Sequence, residues 1–239
     1  MTPPVSSVPA TTCAGDALSV SVTRPPGRQS NHRFPLAVEI AILVLAAVLG
    51  AIGMKALVAE VFSVPSGSMA RTILPGQRIA IEKLSYDFRD PRRGEVVVFD
   101  GHGIFTDPEP GVHTFVKRVI AIGGDRVRCC DVSGKLTVNG VSLDESAYLA
   151  AGQAPSLVKF DVVVPSGSVW VMGDHRATSA DSRAYLGSAG GGFVPIDRIN
   201  GRALAVVWPL ANAHSISAPT TFNAVNRAEP GSNSASSGS

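Results

Sequence analysis

The hydrophobic and polar residues follow different patterns on the two sides of residue 60. From Leu36 to Ala59 the chain is apolar except for Glu39 and Lys55. After residue 60, short Val-rich runs alternate with Gly, Pro and Asp, a pattern typical of strands and turns. The sequence therefore predicts one apolar helix followed by a mainly β domain built on an antiparallel sheet.

The apolar segment, residues 35–59, is long enough to cross a membrane. At about 1.5 Å per residue its two charges lie roughly 24 Å apart on a helix, so the uncharged middle can fill the hydrocarbon layer. Three arginines precede the segment and one lysine closes it, which predicts a cytoplasmic N-terminus and an extracytoplasmic β domain. Two alternatives remain: a cleaved signal peptide, and a buried soluble helix, which the missing amphipathic stripe disfavours.

Composition sets the limits of the folded part. Residues 1–34 are rich in Pro, Ser and Thr, and from residue 215 onward Ser, Asn, Ala and Gly occur without periodicity. Such segments bury too little apolar surface to become ordered. We therefore expect disordered tails at 1–34 and 215–239, a transmembrane helix at 35–59 and the β domain at 60–214.

Runs of β-forming residues predict the strands of this domain. In chain order they are RIAIEKL, GEVVVFD, HTFVKRVIAI, DRVRC, KLTVNGVSL, FDVVVPSGSVWVMG and GRALAVVW. Asn139 and Gly140 predict a hairpin turn within the fifth run. Residues 101–113 are expected to form a long loop between two strands.

Charge and cysteine content narrow the function. A net charge of +2, with no basic run, argues against nucleic-acid binding. Three cysteines are too few for a disulfide framework, and their spacing does not suggest zinc. The adjacent Cys129 and Cys130 are either a vicinal disulfide or two thiols, and Cys13 is expected to stay free.

The candidate chemistry begins with the serines of VPSGSMARTI, residues 64–73. The Gly-x-Ser-x-Gly elbow of the α/β-hydrolases is missing there. The histidines lie in tail or loop contexts that do not hold an imidazole rigidly, although His175, next to Asp174, is the hardest to dismiss. A Ser-His-Asp triad is therefore disfavoured.

A lysine base is the alternative to histidine. Free lysine has a pKa of about 10.4, so a lysine base working near neutrality must be poorly hydrated or lie near another cation. In TFVKRVIAI, read as a strand, Lys117 shares a face with Phe115 and Val119, which favours a neutral amine. The competing interpretation is a lysine that extends to solvent from a strand edge.

A dense polar stretch, MGDHRATSADSRAY at 172–185, is predicted to be a loop with many hydrogen bonds. Asp181 and Arg183 are two residues apart, so in an extended segment they share a side and can pair. Taken alone, the stretch is also consistent with a solvated turn of mixed charge.

Together PSGSM, VKRVIAIGGD and GDHRATSADSR, in this order after one apolar segment, resemble the bacterial type I signal peptidases. These are membrane-bound Ser-Lys peptidases that cut leader peptides from exported preproteins, and CCD and LTVNG resemble their actinobacterial branch. The resemblance implies a barrel-like antiparallel β fold with an apolar surface near the bilayer, in a single-pass plasma-membrane protein with an extracytoplasmic catalytic domain. It implies preprotein signal peptides and membrane lipid as partners, proximity to the secretion translocon, and no metal or organic cofactor.

The resemblance also assigns the reacting groups. The second serine of the Ser-Gly-Ser-Met motif is the family's nucleophile and matches Ser68. The lysine of the Lys-Arg motif is its general base and matches Lys117. The first serine of the motif contributes a hydroxyl to the oxyanion hole beside the nucleophile's own N–H, a role that matches Ser66. The implied reaction is acyl transfer, with small residues preferred in an Ala-x-Ala site.

The third motif supplies the supporting residues. Ser179 matches the serine that hydrogen-bonds the lysine amine, while Asp181 and Arg183 match a supporting ion pair. Gly173 and Asp174 match the opening of the motif.

The chain departs from the family pattern at several positions, two of which follow the Ser-Gly-Ser-Met motif, and two rival interpretations remain. Arg71 stands where the family usually has proline, and Gln77 where it often has aspartate. One rival is a self-cleaving Ser-Lys repressor, which needs an upstream DNA-binding domain where the apolar segment lies. The other is a catalytically degenerate, membrane-tethered protein that only binds preproteins.

Overall fold

The structure is a computed structural model that describes residues 35–58, 60–105 and 113–227, with the side chains of 51–58 left undescribed. Helix α1 covers Leu36–Val58, and its described large apolar side chains are exposed. Among the described residues, no helix is long and apolar enough to cross a membrane. The predicted tail at 1–34, the centre of the 101–113 loop and the end of the chain from residue 228 lie outside the described residues.

The remainder of the described chain is mainly β, as the Val-rich runs predict. The strands are β1 Glu60–Ser63, β2 Arg78–Glu82, β3 Val96–Asp100, β4 Thr114–Ile122, β5 Arg126–Cys129, β6 Leu136–Val138, β7 Val141–Ser142, β8 Phe160–Val163, β9 Ser168–Met172, β10 Val194–Pro195, β11 Ile199–Trp208 and β12 His214–Ser215. The described chain also contains two short α-helices, α2 Ser85–Phe88 and α3 Phe222–Arg227. Each predicted run contains a strand, whereas the short strands β1, β10 and β12 were not predicted.

Two antiparallel sheets contain these strands. The larger sheet has the order β1-β2-β11-β3-β4-β9-β10, with β12 paired to β11. The smaller sheet has the order β7-β6-β5-β8. Strand β4 pairs with both β3 and β9, so it lies inside the larger sheet. This position makes β4 a rigid support for any group that it carries.

The predicted hairpin forms, and the two adjacent cysteines are bonded to each other. Asn139 and Gly140 both have positive φ, +52° and +79°, in the turn between β6 and β7. Asn-Gly favours this left-handed backbone, so the predicted hairpin is confirmed. Cys129 and Cys130, which the sequence left open, are joined by a disulfide.

Both faces of strand β4 are buried. Phe115 and Val119 belong to one apolar cluster, whereas Ile120 belongs to another with Trp170. Lys117 is therefore enclosed together with Phe115 and Val119, as the strand reading predicts, and its amine lies 5.8 Å from the Phe115 ring centre. A polar side chain buried in this way needs a hydrogen-bond partner.

The expectation of a disordered tail from residue 215 is wrong for residues 215–227. Strand β12 ends at Ser215, and α3 buries Phe222 and Val225 completely in the core. The ring of Phe222 stacks on Tyr148 at 6.0 Å, and a Cβ on Gly94 would lie 2.7 Å from the Phe222 ring. Two apolar residues at helical spacing are too weak a local signal in a polar stretch, and distant contacts order the segment.

Candidate active site

The Ser-Gly-Ser-Met segment lies in the connection between β1 and β2. Backbone hydrogen bonds between Val64 and the pair Gly76 and Gln77 close the base of this connection. Met69 is completely buried, and its carbonyl accepts hydrogen bonds from the N–H groups of Thr72 and Ile73, three and four residues later. The apolar anchor and the turn together fix the backbone of Ser68, which precedes Met69.

Ser68 and Lys117 come together although 49 residues separate them. The Lys117 amine donates to Ser68 Oγ at 2.8 Å and to the Val116 carbonyl at 3.2 Å. Ser68 is 6% exposed and Lys117 is 3% exposed. Burial disfavours the charged form of an amine, and the distance allows direct proton transfer from the hydroxyl.

Ser66 Oγ lies 3.1 Å from Ser68 Oγ, within hydrogen-bond distance. Ser66 is exposed to solvent and Ser68 is buried, so the two hydroxyls lie at the boundary between protein and solvent. A hydroxyl and a backbone N–H close to one serine oxygen are the kinds of donors that can stabilise an oxyanion.

A buried ion pair lies behind the turn that carries Ser68. Arg118, the residue after the lysine, donates through Nε and Nη2 to the two carboxylate oxygens of Asp174 at 2.8 and 2.7 Å. Thr72 Oγ1 donates to Asp174 Oδ2 at 2.5 Å, and Arg118 also donates to the Gly94 carbonyl at 2.7 Å. Because Arg118 and Asp174 are almost fully buried, this network couples β4, the turn that carries Ser68 and the loop after β9.

The loop after β9 contains the second predicted ion pair. Arg183 donates through Nε and Nη2 to Asp181, both at 2.8 Å, so the predicted pairing is confirmed. Asp181 Oδ2 also accepts the Gly173 N–H at 2.9 Å, and Arg183 donates to the Arg176 carbonyl at 3.0 Å. The pair therefore fixes the loop from its start at Gly173 to its end.

Gly173 separates the Ser68 backbone from the Ser179 side chain. A Cβ added at Gly173 would lie 2.4 Å from the Ser68 carbonyl oxygen and 2.3 Å from Ser179 Oγ. Ser179 Oγ is buried and makes no hydrogen bond within the described residues, so the expected bond to the Lys117 amine is not formed. The amine donates instead to Ser68 and to the Val116 carbonyl.

His175, which the sequence could not dismiss, contacts the backbone on both sides of Ser68. Its own N–H donates to the Ser68 carbonyl at 3.0 Å, and its Nδ1 lies 3.3 Å from the Gly67 carbonyl oxygen. Nδ1 is also 2.8 Å from Thr178 Oγ1. The Gly67 carbonyl and the Ser68 N–H belong to one planar peptide unit, so these contacts orient that N–H.

A third buried ion pair supports the same loop from the side of residues 145–153. Arg176 donates to both carboxylate oxygens of Glu145, at 2.5 and 3.1 Å, and to the Gly173 carbonyl. Burial, followed by the charge of Glu145, raises the pKa of Tyr148 well above its ordinary value. The Tyr148 hydroxyl therefore stays protonated and donates to Glu145 at 2.6 Å.

Sequence reasoning missed the partners of the buried arginines. The strand reading places Arg118 opposite Lys117, on a face with Val116 and Ile120, and a guanidinium on an apolar face requires a carboxylate partner. That signal was available, but it does not identify Asp174 among the acidic residues. Within the described residues, no group of three or more His, Cys, Asp or Glu side chains is placed to hold a metal ion.

Comparison with known proteins defines the class. Residues 37–208 match the family model described as signal peptidase, peptidase S26. The chain belongs to this family and is a type I signal peptidase, a serine peptidase that removes signal peptides.

Individual relatives agree with that class. The chain is 39% identical to a probable signal peptidase I-2 from Synechocystis, over 72% of this chain and 73% of that protein. It is 34% identical to signal peptidase I from Mycobacterium tuberculosis, over 86% of this chain and 83% of that one. A solved signal peptidase I from Enterococcus faecalis is 24% identical, with a TM-score of 0.35, and covers 48% of this chain and 97% of its own. Both cyanobacterial and mycobacterial relatives match, so the resemblance to the actinobacterial branch stays a prediction.

Proposed function

We propose that this chain cleaves preprotein signal peptides after small residues, in Ala-x-Ala sites, by a Ser-Lys mechanism in which Ser68 is the nucleophile and Lys117 the general base. The observation that supports it most directly is the 2.8 Å contact between Lys117 Nζ and Ser68 Oγ in a buried setting. An amine on an interior strand, enclosed by apolar side chains, is suited to lose its proton and act as a base near neutrality.

Ser68, Lys117 and one water molecule are sufficient for the proposed reaction. The neutral Lys117 amine takes the Ser68 hydroxyl proton while Oγ bonds to the scissile carbonyl carbon. The tetrahedral intermediate collapses when the C–N bond breaks, and the lysine ammonium gives its proton to the leaving amine. Lys117 then takes a proton from water, the resulting hydroxide attacks the acyl-enzyme carbon, and the proton returns to Ser68 Oγ.

The oxyanion is proposed to accept hydrogen bonds from the Ser68 N–H and the Ser66 hydroxyl. Ser66 Oγ lies 3.1 Å from the nucleophilic oxygen, and the contacts of His175 orient the peptide unit that carries the Ser68 N–H. Donors held before the reaction stabilise the developing charge without reorganising.

The third motif is proposed to support the lysine and the nucleophile. Asp181 and Arg183 fix the loop, Gly173 allows it to pack against the Ser68 backbone, and Asp174 neutralises Arg118. Ser179, whose buried hydroxyl has no hydrogen-bond partner among the described residues, is proposed to bind the lysine amine once Ser68 has been acylated. In that state Oγ is part of an ester and no longer a hydroxyl.

The described residues contain no helix long and apolar enough to cross a membrane. From the sequence of the whole segment, residues 35–59, we nevertheless propose one transmembrane helix that anchors the enzyme in the plasma membrane. The apolar sequence and the exposed apolar side chains of the described part of α1 support this placement. The arginines before the segment favour a cytoplasmic N-terminus and an extracytoplasmic catalytic domain, next to membrane lipid and the secretion translocon.

The primary test is cleavage of a synthetic Ala-x-Ala leader peptide by the purified full chain in detergent, with products identified by mass. We expect cleavage after the second small residue by the wild type and by the control Ser133→Ala, which changes an exposed turn. Ser68→Ala should give no product. Cleavage that persists in Ser68→Ala refutes the assigned nucleophile, and a folded wild type that binds but does not cut supports the degenerate binding protein instead.

Gly173→Ala tests the close packing behind the nucleophile. The added methyl must displace the Ser68 carbonyl or Ser179, so kcat/KM for the leader peptide should fall by about 10²-fold, the scale expected for a 1 Å misplacement. The matched control is Gly187→Ala, where an added methyl meets nothing within 4 Å and activity should be unchanged. Wild-type kcat/KM in Gly173→Ala would show that the Ser68 backbone does not depend on this contact.

A further inference from the structure

Arg71 lies three residues after the proposed nucleophile and has an unusual backbone conformation. Its φ is +90°, a left-handed value that favours glycine. The other non-glycine residue with positive φ in the described chain is Asn139, whose hairpin turn requires that conformation. Strained backbone of this kind persists only where its surroundings hold it, and it is concentrated at functional sites.

The Arg71 side chain is held by a segment that also contacts the active site. Its Nη1 donates to the Leu149 carbonyl at 2.6 Å. One residue later, the Ala150 N–H donates to the Asp174 carbonyl at 3.1 Å. Arg71 therefore joins the turn after Ser68 to residues 145–153, which are themselves bound to the proposed catalytic loop.

A cavity of about 350 Å³ opens beside this contact. Leu143, Leu149 and Pro155 give it apolar walls, and Arg71, Lys135, Asp144 and Glu145 give it charge. The Glu145 carboxylate is neutralised by Arg176. Lys135 lies near the carboxylates of Asp131 and Asp144, whereas Arg71 forms no ion pair within the described residues. The charge left uncompensated in the cavity is therefore that of Arg71, and it favours an anionic group.

The guanidinium is suited to such a group. An arginine carries five N–H donors in a planar fork, and the bond to the Leu149 carbonyl uses Nη1. The remaining donors can pair with a carboxylate, and Arg71 is exposed enough to be reached from solvent. A side chain with methylene groups and a terminal carboxylate matches both the apolar walls and the cation.

The position of Arg71 relates the cavity to the substrate. Three residues span at most about 11 Å, so the Arg71 backbone lies within that distance of Ser68. An extended peptide advances about 3.3 Å per residue, so this limit, with the added reach of the arginine side chain, places the guanidinium within about four residues of the scissile bond. We propose that the cavity is a substrate subsite in which Arg71 binds an aspartate or glutamate side chain of the preprotein. This proposal rests on the proposed peptidase function.

The test uses leader peptides in which one position at a time is Ala, Glu or Lys. The varied positions lie two, three and four residues from the scissile bond, on both sides of it. At one or more of these positions we expect the wild-type kcat/KM to be at least about tenfold higher with Glu than with Lys. A lower KM for the Glu peptide should account for the difference. Arg71→Gly, which relieves the positive φ and removes the guanidinium, should bring the Glu-to-Lys ratio to within about twofold. Because Arg71 also holds the turn after Ser68, each rate is divided by the rate of the Ala peptide with the same variant. Arg198→Gln, which removes an exposed arginine elsewhere, should keep the preference.

A binding measurement separates this proposal from the proposed function. Fluorescence anisotropy of the same labelled peptides with the Ser68→Ala chain should show the same Glu preference and its loss when Arg71→Gly is added, whether or not the wild type cleaves. Equal binding of the Glu and Lys peptides, or a preference that survives Arg71→Gly, overturns the subsite. A third outcome is that peptide binding depends on Arg71 only when vesicles of anionic phospholipid are present, and equally for all peptides. That result assigns the guanidinium to a lipid headgroup and likewise overturns the subsite.

Discussion

Lys117→Met is expected to reduce kcat/KM for an Ala-x-Ala leader peptide by about 10²–10⁴-fold, the usual contribution of a general base. Methionine has a similar length and no basic nitrogen, and the site is buried among apolar side chains. The domain should therefore fold while the Ser68 hydroxyl loses the group that accepts its proton. The measurement is peptide cleavage followed by mass spectrometry, together with thermal unfolding of the same samples.

Lys159→Met is the matched control, because Lys159 is exposed and lies outside the proposed site. It should leave both cleavage and unfolding unchanged. If folded Lys117→Met retains cleavage within about threefold of the wild type, well below the effect of losing a general base, another group must activate Ser68.

Asp174→Ala is expected to lower the free energy of unfolding by about 3–5 kcal/mol, the usual cost of breaking a buried ion pair from one side. The substitution leaves the guanidinium of Arg118, which is 1% exposed, without its bidentate partner, and it removes the acceptor of Thr72 Oγ1. Denaturant unfolding of the full chain in detergent measures the change. Because Thr72 lies in the turn that follows Ser68, the proposed nucleophile, cleavage should fall as well.

The control for this substitution is Asp161→Ala. Asp161 forms an equally close bidentate pair with Arg126, but both side chains are exposed to solvent. Solvent screens such a pair, so the midpoint of unfolding should not change measurably. Similar midpoints for Asp174→Ala and Asp161→Ala would show that burial does not set the strength of the Arg118–Asp174 pair.

The strands were largely predictable because their signal is local. Val-rich runs between Gly, Pro and Asp identify β2 to β9 and β11, and Asn139–Gly140 identifies a turn by its backbone preference. The helix α3 was not predictable in this way. Its stability comes from Phe222 packing on Tyr148 and against Gly94, residues more than 70 positions away along the chain.

The site was predictable to the extent that each residue carries its own signal. Alternation along β4 predicts that Lys117 lies with Phe115 and Val119. The pairing of Asp181 with Arg183 was predicted for an extended segment, but it forms where Asp181 caps a 3₁₀ turn over Ser182–Tyr185. The partners of Arg118 and Arg176 depend on how separate loops approach each other, and nothing in the local sequence specifies that approach. Within the described residues the Ser179 hydroxyl makes no hydrogen bond, and whether it reaches the lysine amine depends likewise on the other contacts of that amine.

The packing of α3 also bears on how the protein can be shortened. The family match ends at residue 208, whereas Phe222 and Val225 close the core beyond that limit, and Asn226 accepts a hydrogen bond from Arg93. A chain cut at the end of the matched region would expose the apolar surface around Tyr148 and Leu143 to water, which favours aggregation. The smallest soluble fragment worth expressing therefore extends at least to Arg227.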